Sequence, residues 1–120
     1  MTSLPSDINA LSRNAPRRRI VASTAKTASS IVYEVPASKS LRIESLSVCN
    51  TAATTITFRL FILGANESTA VSNAVYYDNA LRGNATLLDD SIRYLNAGDR
   101  IALRSDTASA VSLQIHGVEM

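Results

Sequence analysis

Few side chains in this sequence have chemistry of their own, and the single histidine and the single cysteine are the first candidates. His116 lies in an alternating segment, residues 111–116, whose phase predicts that it points away from the core. Cys49 follows Val48 at the end of a predicted strand, where a small buried hydrophobe is more typical than a nucleophile. The sequence has no second histidine and no G-x-S-x-G motif, so neither a multi-histidine metal site nor a serine-hydrolase triad is expected.

The aspartates are the remaining candidates for acid–base or metal chemistry: Asp89, Asp90, Asp99 and Asp106. Two carboxylates could flank a glycosidic bond, and loop carboxylates could bind Ca²⁺. These residues do not have the spacing of an EF-hand loop. Aspartate is common in turns because its side chain bonds nearby backbone amides. We therefore expect turn stabilisation, and we expect no enzymatic activity, no metal site and no cofactor.

Length and charge predict one folded domain with a basic extension. The chain has 120 residues, of which 46% are hydrophobic, enough for a single core. No apolar run approaches the ~18 residues of a membrane span, so no membrane partner is expected. Residues 1–20 carry four arginines against one aspartate, a net charge of +3, which leaves −1 on the other residues. We predict an extended basic N-terminal arm over residues 1–28 and a β-sandwich domain over residues 29–120.

The arm supplies most of the predicted partner contacts. Its candidate residues are Leu4, Ile8, Leu11, Arg17, Arg18 and Arg19. The three apolar residues could line one face of a short helix. The triple arginine fits an acidic partner surface, and equally a solvated linker. No nucleic-acid partner is expected, because no interleaved aromatics or known motif accompany the arginines. The arm also has some features of a mitochondrial-type transit peptide, but Asp7 argues against it.

From residue 19 onward the sequence alternates with a period of two, which is typical of β-strands. The predicted strands, about eight, lie around residues 19–24, 31–35, 41–48, 56–62, 75–81, 86–89, 101–103 and 111–116. A change of phase at Glu44 and Ser45 predicts a β-bulge. Short strands at near-regular spacing, without a long helix, predict an all-β fold, either an antiparallel sandwich or a jelly roll.

Two adjacent tyrosines are the candidates for recognition by the folded domain. Tyr76 and Tyr77 lie on one predicted strand, so their rings must point to opposite faces. We expect one ring in the core and one at the surface, where it could anchor an interface. A solvent-facing tyrosine without a partner is the alternative.

Several short segments together resemble small accessory structural proteins of tailed-bacteriophage virions. The main one is VYEVPASKSLRIESLSVCN (residues 32–50), and the others are YYD (76–78), LL (87–88), LNAGDRI (95–101) and IHGVE (115–119). The resemblance covers roughly residues 31–120, and Ser38 stands where a glycine is common in the family. The turn at LNAGDRI is also similar to one in trimeric jelly rolls of the tumour-necrosis-factor and complement type.

The resemblance implies a compact β-sandwich accessory of the virion: a capsid decoration or cement subunit, or a neck or tail component. It implies other virion proteins as partners, assembly in the bacterial cytoplasm, and a homo-oligomer, with a trimer favoured. The alternative is a fibre-tip or knob module that recognises a receptor or a carbohydrate. That module would use Tyr76 or Tyr77 together with the polar loop of residues 64–73.

Overall fold

The architecture is all β, as the sequence predicts. The computed structural model describes residues 17–120, and within them regular structure consists of nine strands and one 3₁₀ turn, Val71–Asn73. The strands are β1 (Arg18–Thr24), β2 (Ser30–Glu34), β3 (Leu41–Asn50), β4 (Ile56–Leu63), β5 (Ala74–Leu81), β6 (Thr86–Asp89), β7 (Arg93–Leu95), β8 (Arg100–Ser105) and β9 (Val111–Glu119). The sequence pattern did not indicate β7.

The strands pair as one long antiparallel ribbon that folds back on itself. β4 pairs with β5 at the closed end of the ribbon. Pairs of increasing sequence separation follow: β3 with β6 and β7, β2 with β8, and β1 with β9. Two further antiparallel pairings, β9 with β3 and β8 with β4, join these into sheets. Sheet A has the order β1-β9-β3-β6, with β7 also beside β3, and sheet B has the order β2-β8-β4-β5.

Alternation along the strands places one side of each sheet in a shared apolar core. In sheet A the predicted inward residues Val111, Leu113 and Ile115 of β9 are buried. In sheet B, Phe58 and Leu60 of β4 belong to the same cluster. Complete burial of such a side chain is worth roughly 1.5–3 kcal/mol. The two antiparallel sheets therefore form a sandwich-like arrangement around one core.

The predicted bulge at Glu44 and Ser45 is confirmed. The register of β3 against β9 shifts between Ile43 and Ser45. Because side chains alternate with a period of two, one extra residue restores the inward direction of Leu46 and Val48, both of which are buried. An uninterrupted strand would have turned these two side chains toward solvent.

The folded body begins earlier than predicted. The strand predicted around residues 19–24 is present as β1, which pairs with β9, although the predicted boundary placed it in the arm. Val21 and Ala25 are buried in the core, so this segment is part of sheet A and not an extension. The predicted boundary after residue 28 is corrected accordingly. Residues 1–16 lie outside the described part of the chain.

A buried asparagine holds two turns together at one end of the molecule. Asn50 is 0% exposed at the end of β3. The two N–H groups of its side-chain nitrogen are shared among three carbonyl oxygens, those of Thr54 (2.8 Å), Leu81 (3.0 Å) and Arg82 (3.1 Å). Its side-chain oxygen accepts from the N–H of Ala52 at 2.9 Å. The turn after β3 and the turn after β5 are thereby joined through one side chain.

Two other turns meet at the opposite end. The N–H of Val35 donates to the carbonyl of Asp99, and the N–H of Gly98 donates to the carbonyl of Val35, each at 2.9 Å. Ser38 adopts a positive φ of 66° in the turn that follows β2, a conformation that favours glycine. The segments VPA and NAGD, which carry part of the family resemblance, are therefore in direct backbone contact.

Candidate interaction surfaces

The residues with chemistry of their own are dispersed over the surface. His116 points outward from β9, as predicted, and its Cα partners are Arg19 and Ser45. Cys49 is half-buried on the outer face of sheet A, beside Thr86 and Ser112 on the neighbouring strands. The expectation that Cys49 is a core residue is wrong, because the phase after the bulge directs Val48 and Asn50 inward.

Asp99 bonds a backbone amide of its own turn, as expected, whereas Asp106 bonds a hydroxyl on β4. A carboxylate oxygen of Asp99 accepts from the N–H of Asn96 at 2.8 Å. One of Asp106 accepts from the hydroxyl of Thr57 at 3.2 Å. Within residues 17–120, no group of three potential metal-ligating residues comes together. The carboxylates of Asp99 and Asp106 therefore act separately.

Asp89 has an additional role, since it closes one edge of the sandwich. Tyr76 on β5 of sheet B points inward and donates its hydroxyl to the Asp89 carboxylate on β6 of sheet A at 2.6 Å. Ser91 donates its N–H to the same carboxylate at 2.9 Å, and Arg93 lies 3.3 Å away. These hydrogen bonds hold the pKa of Asp89 well below its ordinary value, and the bond from the Tyr76 hydroxyl has the largest effect. Burial and the hydrogen bond to Asp89 raise the pKa of Tyr76 to about 12.

A matching contact closes the other edge. Tyr33 on β2 of sheet B donates its hydroxyl to Glu119 on β9 of sheet A. Arg18 on β1 donates to the other oxygen of the Glu119 carboxylate at 3.0 Å. Burial, followed by the hydrogen bond to Glu119, raises the pKa of the Tyr33 hydroxyl. Inward-facing polar pairs of this kind keep the edges of a sandwich from pairing with other strands.

Tyr77 lies on the outer face of sheet B, so the prediction that the adjacent tyrosines face opposite ways is confirmed. Its ring is exposed and lies 4.0 Å from the Arg59 guanidinium carbon, measured to the ring centroid. Arg59 also donates to both carboxylate oxygens of Asp78, at 2.6 and 3.0 Å. The edge of Tyr77 meets Phe61, which is 2% exposed in a small second apolar cluster that the sequence did not indicate. The result is a flat surface with one aromatic ring and one polar fork, next to the loop of residues 64–73.

The three arginines predicted to bind a partner have different surroundings. Arg17 donates to the Ser45 hydroxyl at 2.9 Å and lies 3.7 Å from Glu44. Arg18 is paired with Glu119, and Arg19 is exposed on β1. Two of the three guanidinium groups are thus used within the body. The apolar candidates Leu4, Ile8 and Leu11 lie outside the described residues.

The sequence prediction missed an exposed apolar strip, which we call the β6–β7 strip, formed by Leu88, Ile92 and Tyr94. Leu88 on β6 and Tyr94 on β7 have their Cα partners, Ser47 and Arg42, on the outer face of β3. The exposed fractions are 75% for Leu88, 51% for Ile92 and 72% for Tyr94. A signal for it was present, because adjacent leucines at 87 and 88 on one strand must face opposite ways, as the adjacent tyrosines do.

No family model, curated protein or solved structure matches this chain. Residues 17–120 contain no helix with the length and apolar character needed to cross a membrane. Two surfaces of the body are available for a partner: the outer face of sheet B at Tyr77, and the β6–β7 strip of sheet A.

Proposed function

We propose that this chain is a non-enzymatic structural subunit of a tailed-phage particle, a capsid decoration or cement protein or a head–tail accessory. The observation that carries the proposal is the nested pairing of its strands. A long antiparallel ribbon rolled into two four-strand layers is the topology of a jelly roll, a fold used by viral capsid proteins and by lectins. We accordingly propose a jelly roll in which β6 and β7 together take the place of one strand.

The positions of the resembling segments support the same proposal. VPA contacts NAGD through Val35 and Gly98, and Asn50, the final residue of the segment 32–50, joins two turns. The C-terminal segment closes against the start of β3, where the N–H of Met120 donates to the carbonyl of Ser40 at 2.8 Å. Short sequence segments that lie far apart in the chain thus meet at the turns that define the fold.

The surface chemistry favours binding over catalysis. Most of the charged and titratable side chains form hydrogen bonds or ion pairs within the body. The two surfaces available for a partner are flat and apolar or aromatic. Such surfaces mark protein interfaces more often than reaction centres. In this proposal the outer faces of the sandwich and the N-terminal arm bind neighbouring virion proteins, and the subunit is a homo-oligomer, with a trimer favoured.

The test is the incorporation of a truncated chain into particles. Removing residues 2–16 leaves β1 and the ion pairs of Arg17 and Arg18 intact, whereas removal up to residue 28 would delete a strand of sheet A. We expect the truncated chain to melt at the same temperature as the full chain but to be missing from purified particles. Val71→Ser, an exposed change on another surface, is the matched control and should be incorporated normally.

Particle stability tests the cement role separately. Particles that lack the protein should break at a lower temperature or under a milder osmotic shock than complete particles. Normal incorporation of the truncated chain would contradict the role of the arm. Unchanged particle stability would move the subunit from the capsid surface to the neck or tail.

A second candidate function is recognition of a receptor or carbohydrate at a fibre tip, and the surface at Tyr77 favours it. An exposed aromatic ring beside the Arg59–Asp78 fork offers stacking and directed hydrogen bonds, the two contacts that sugar recognition needs. Tyr76 does not contribute, because its hydroxyl is bound to Asp89. A glycan array should then show binding that Tyr77→Ala abolishes and Tyr94→Ala retains. Absence of binding by the unmodified chain would remove this candidate.

A further inference from the structure

The β6–β7 strip is the most exposed apolar feature of residues 17–120. Among the large hydrophobic residues of this part of the chain, Leu88 and Tyr94 have the largest exposed fractions. Their partners on β3, Ser47 and Arg42, are five positions apart, so the strip is about 16 Å long at roughly 3.3 Å per residue. Exposed apolar side chains aligned in this way along one sheet edge mark a binding surface.

The strip is too small to form by itself a stable face-to-face contact between two bodies. The exposed parts of its three side chains provide on the order of 300 Å². A stable interface between folded proteins buries about 800 Å² on each partner. The strip therefore fits a short peptide with a few apolar residues better than a second sandwich.

We propose that the β6–β7 strip binds the N-terminal segment, residues 1–16, of a neighbouring copy of this chain. This inference rests on the proposed role in an assembly. The segment has three apolar residues separated by four and three positions, Leu4, Ile8 and Leu11, which match the three side chains of the strip in number. Residues 1–16 carry one basic and one acidic side chain, Arg13 and Asp7. The exposed Asp90 lies between Leu88 and Ile92 in the sequence, so Arg13 has an opposite charge available next to the strip.

The place where the segment leaves the body favours a neighbouring copy. It joins β1, at one edge of sheet A, whereas the strip lies at the opposite edge, on β6 and β7. A donor at one edge and an acceptor at the other produce a head-to-tail contact, which closes into a ring when the rotation between copies permits. The chain's own strip lies about 14 Å away across sheet A, a distance that residues 1–16 can span, so the concentration dependence of association distinguishes binding within one chain from binding between copies.

The experiment measures the self-association of full-length chains by sedimentation velocity over a range of concentrations. The segment variant is Ile8→Ser with Leu11→Ser, and the strip variant is Leu88→Ser with Tyr94→Ser. The matched control is Ile31→Ser with Val71→Ser, which removes exposed apolar side chains elsewhere on the body. All substitutions in the body are at exposed positions, and equal melting temperatures verify that each variant is folded.

We expect the full chain and the control to associate equally. The segment variant and the strip variant should each raise the dissociation constant about tenfold or more. A mixture of these two variants should recover association as heterodimers, because one retains an intact strip and the other an intact segment.

Other results overturn the proposal in identifiable ways. If the strip variant weakens association but the segment variant does not, two bodies dock through the strip. If the full chain stays monomeric at every concentration, the neighbouring copy is not the source of the occupant. If the mixture does not recover association, the contact is not between segment and strip. Incorporation into particles is measured independently, so the proposed function can hold when this assignment fails.

Discussion

Replacing Asn50 with alanine removes the side chain that joins the turn after β3 to the turn after β5. The substitution eliminates the donors to the carbonyls of Thr54, Leu81 and Arg82 and the acceptor for the N–H of Ala52. Asn50 is fully buried, so water does not reach these groups without a local opening of the structure.

The expected loss follows from the number of bonds. The two N–H donors and the one engaged oxygen amount to about three hydrogen bonds, which at roughly 1 kcal/mol each give a decrease of about 3 kcal/mol in the free energy of unfolding. That is a large share of the ~5–15 kcal/mol typical of a domain. Asn50→Asp should lower the free energy of unfolding by more than Asn50→Ala does at neutral pH, because a carboxylate oxygen then faces three carbonyl oxygens. Its stability should partly recover on acidification, because a protonated carboxyl group can donate again.

The assay is urea unfolding, with the midpoint and the slope fitted separately. A lower midpoint at an unchanged slope is the expected signature of lost native-state interactions. Asn66→Ala, an exposed asparagine in the loop after β4, is the matched control and should change stability by at most ~0.5 kcal/mol. If Asn50→Ala costs no more than this control, the reasoning about the joined turns is wrong.

The remaining predictions concern close packing and pH. A Cβ at Gly117 would lie 2.2 Å from a backbone carbonyl oxygen of β3, so Gly117→Ala should cost about 2 kcal/mol or more in thermal unfolding. Gly64→Ala meets only a flexible side chain and should be nearly neutral. Asp89→Asn should lower the free energy of unfolding by about 1–2 kcal/mol at pH 7. The matched control Asp90→Asn changes the neighbouring exposed carboxylate and should leave that free energy unchanged. The lowered pKa of Asp89 means that its contribution is present above about pH 4 and is lost as the pH falls further. The pKa of Tyr76, about 12, means that the hydroxyl's contribution persists to about pH 10 and is lost as the pH rises through 12.

Each of these predictions has a definite contrary result. Equal stabilities of the two glycine variants would mean that β3 and β9 are not as closely packed as the structure indicates. If the difference in free energy of unfolding between the unmodified chain and Asp89→Asn stays constant from pH 7 to pH 2, the carboxylate charge contributes nothing to the edge contact.

The fold was largely predictable because its strands are encoded locally. In a single strand, the order of apolar and polar residues shows which side is buried. The alternation in β9 and the phase change at Glu44 could therefore be read from the strands' own sequences. β7 was not predictable, since three residues are too few to show a period and Arg93 points inward toward Asp89. The strand at residues 19–24 was predictable from its alternation, but the basic charge at residues 17–19 led the domain boundary to be placed after it.

The candidate surfaces were less predictable because they depend on pairing between distant strands. That Tyr76 and Tyr77 face opposite ways follows from adjacency, but which of them is buried depends on where Asp89 lies across the sandwich. The β6–β7 strip arises from two short strands that run along the same side of β3. No local pattern relates Leu88 to Tyr94, and only the register of both strands against β3 places them on one face.

The most direct test of the proposed function is the location of this chain in purified phage particles, determined from a cryo-EM map at a resolution that separates β-sheets. We predict density for a nine-strand body at symmetry-related positions on the capsid, neck or tail, with continuous density from the start of β1 to the β6–β7 strip of the adjacent copy. Absence of the chain from particles whose protein content is established by mass spectrometry would contradict it.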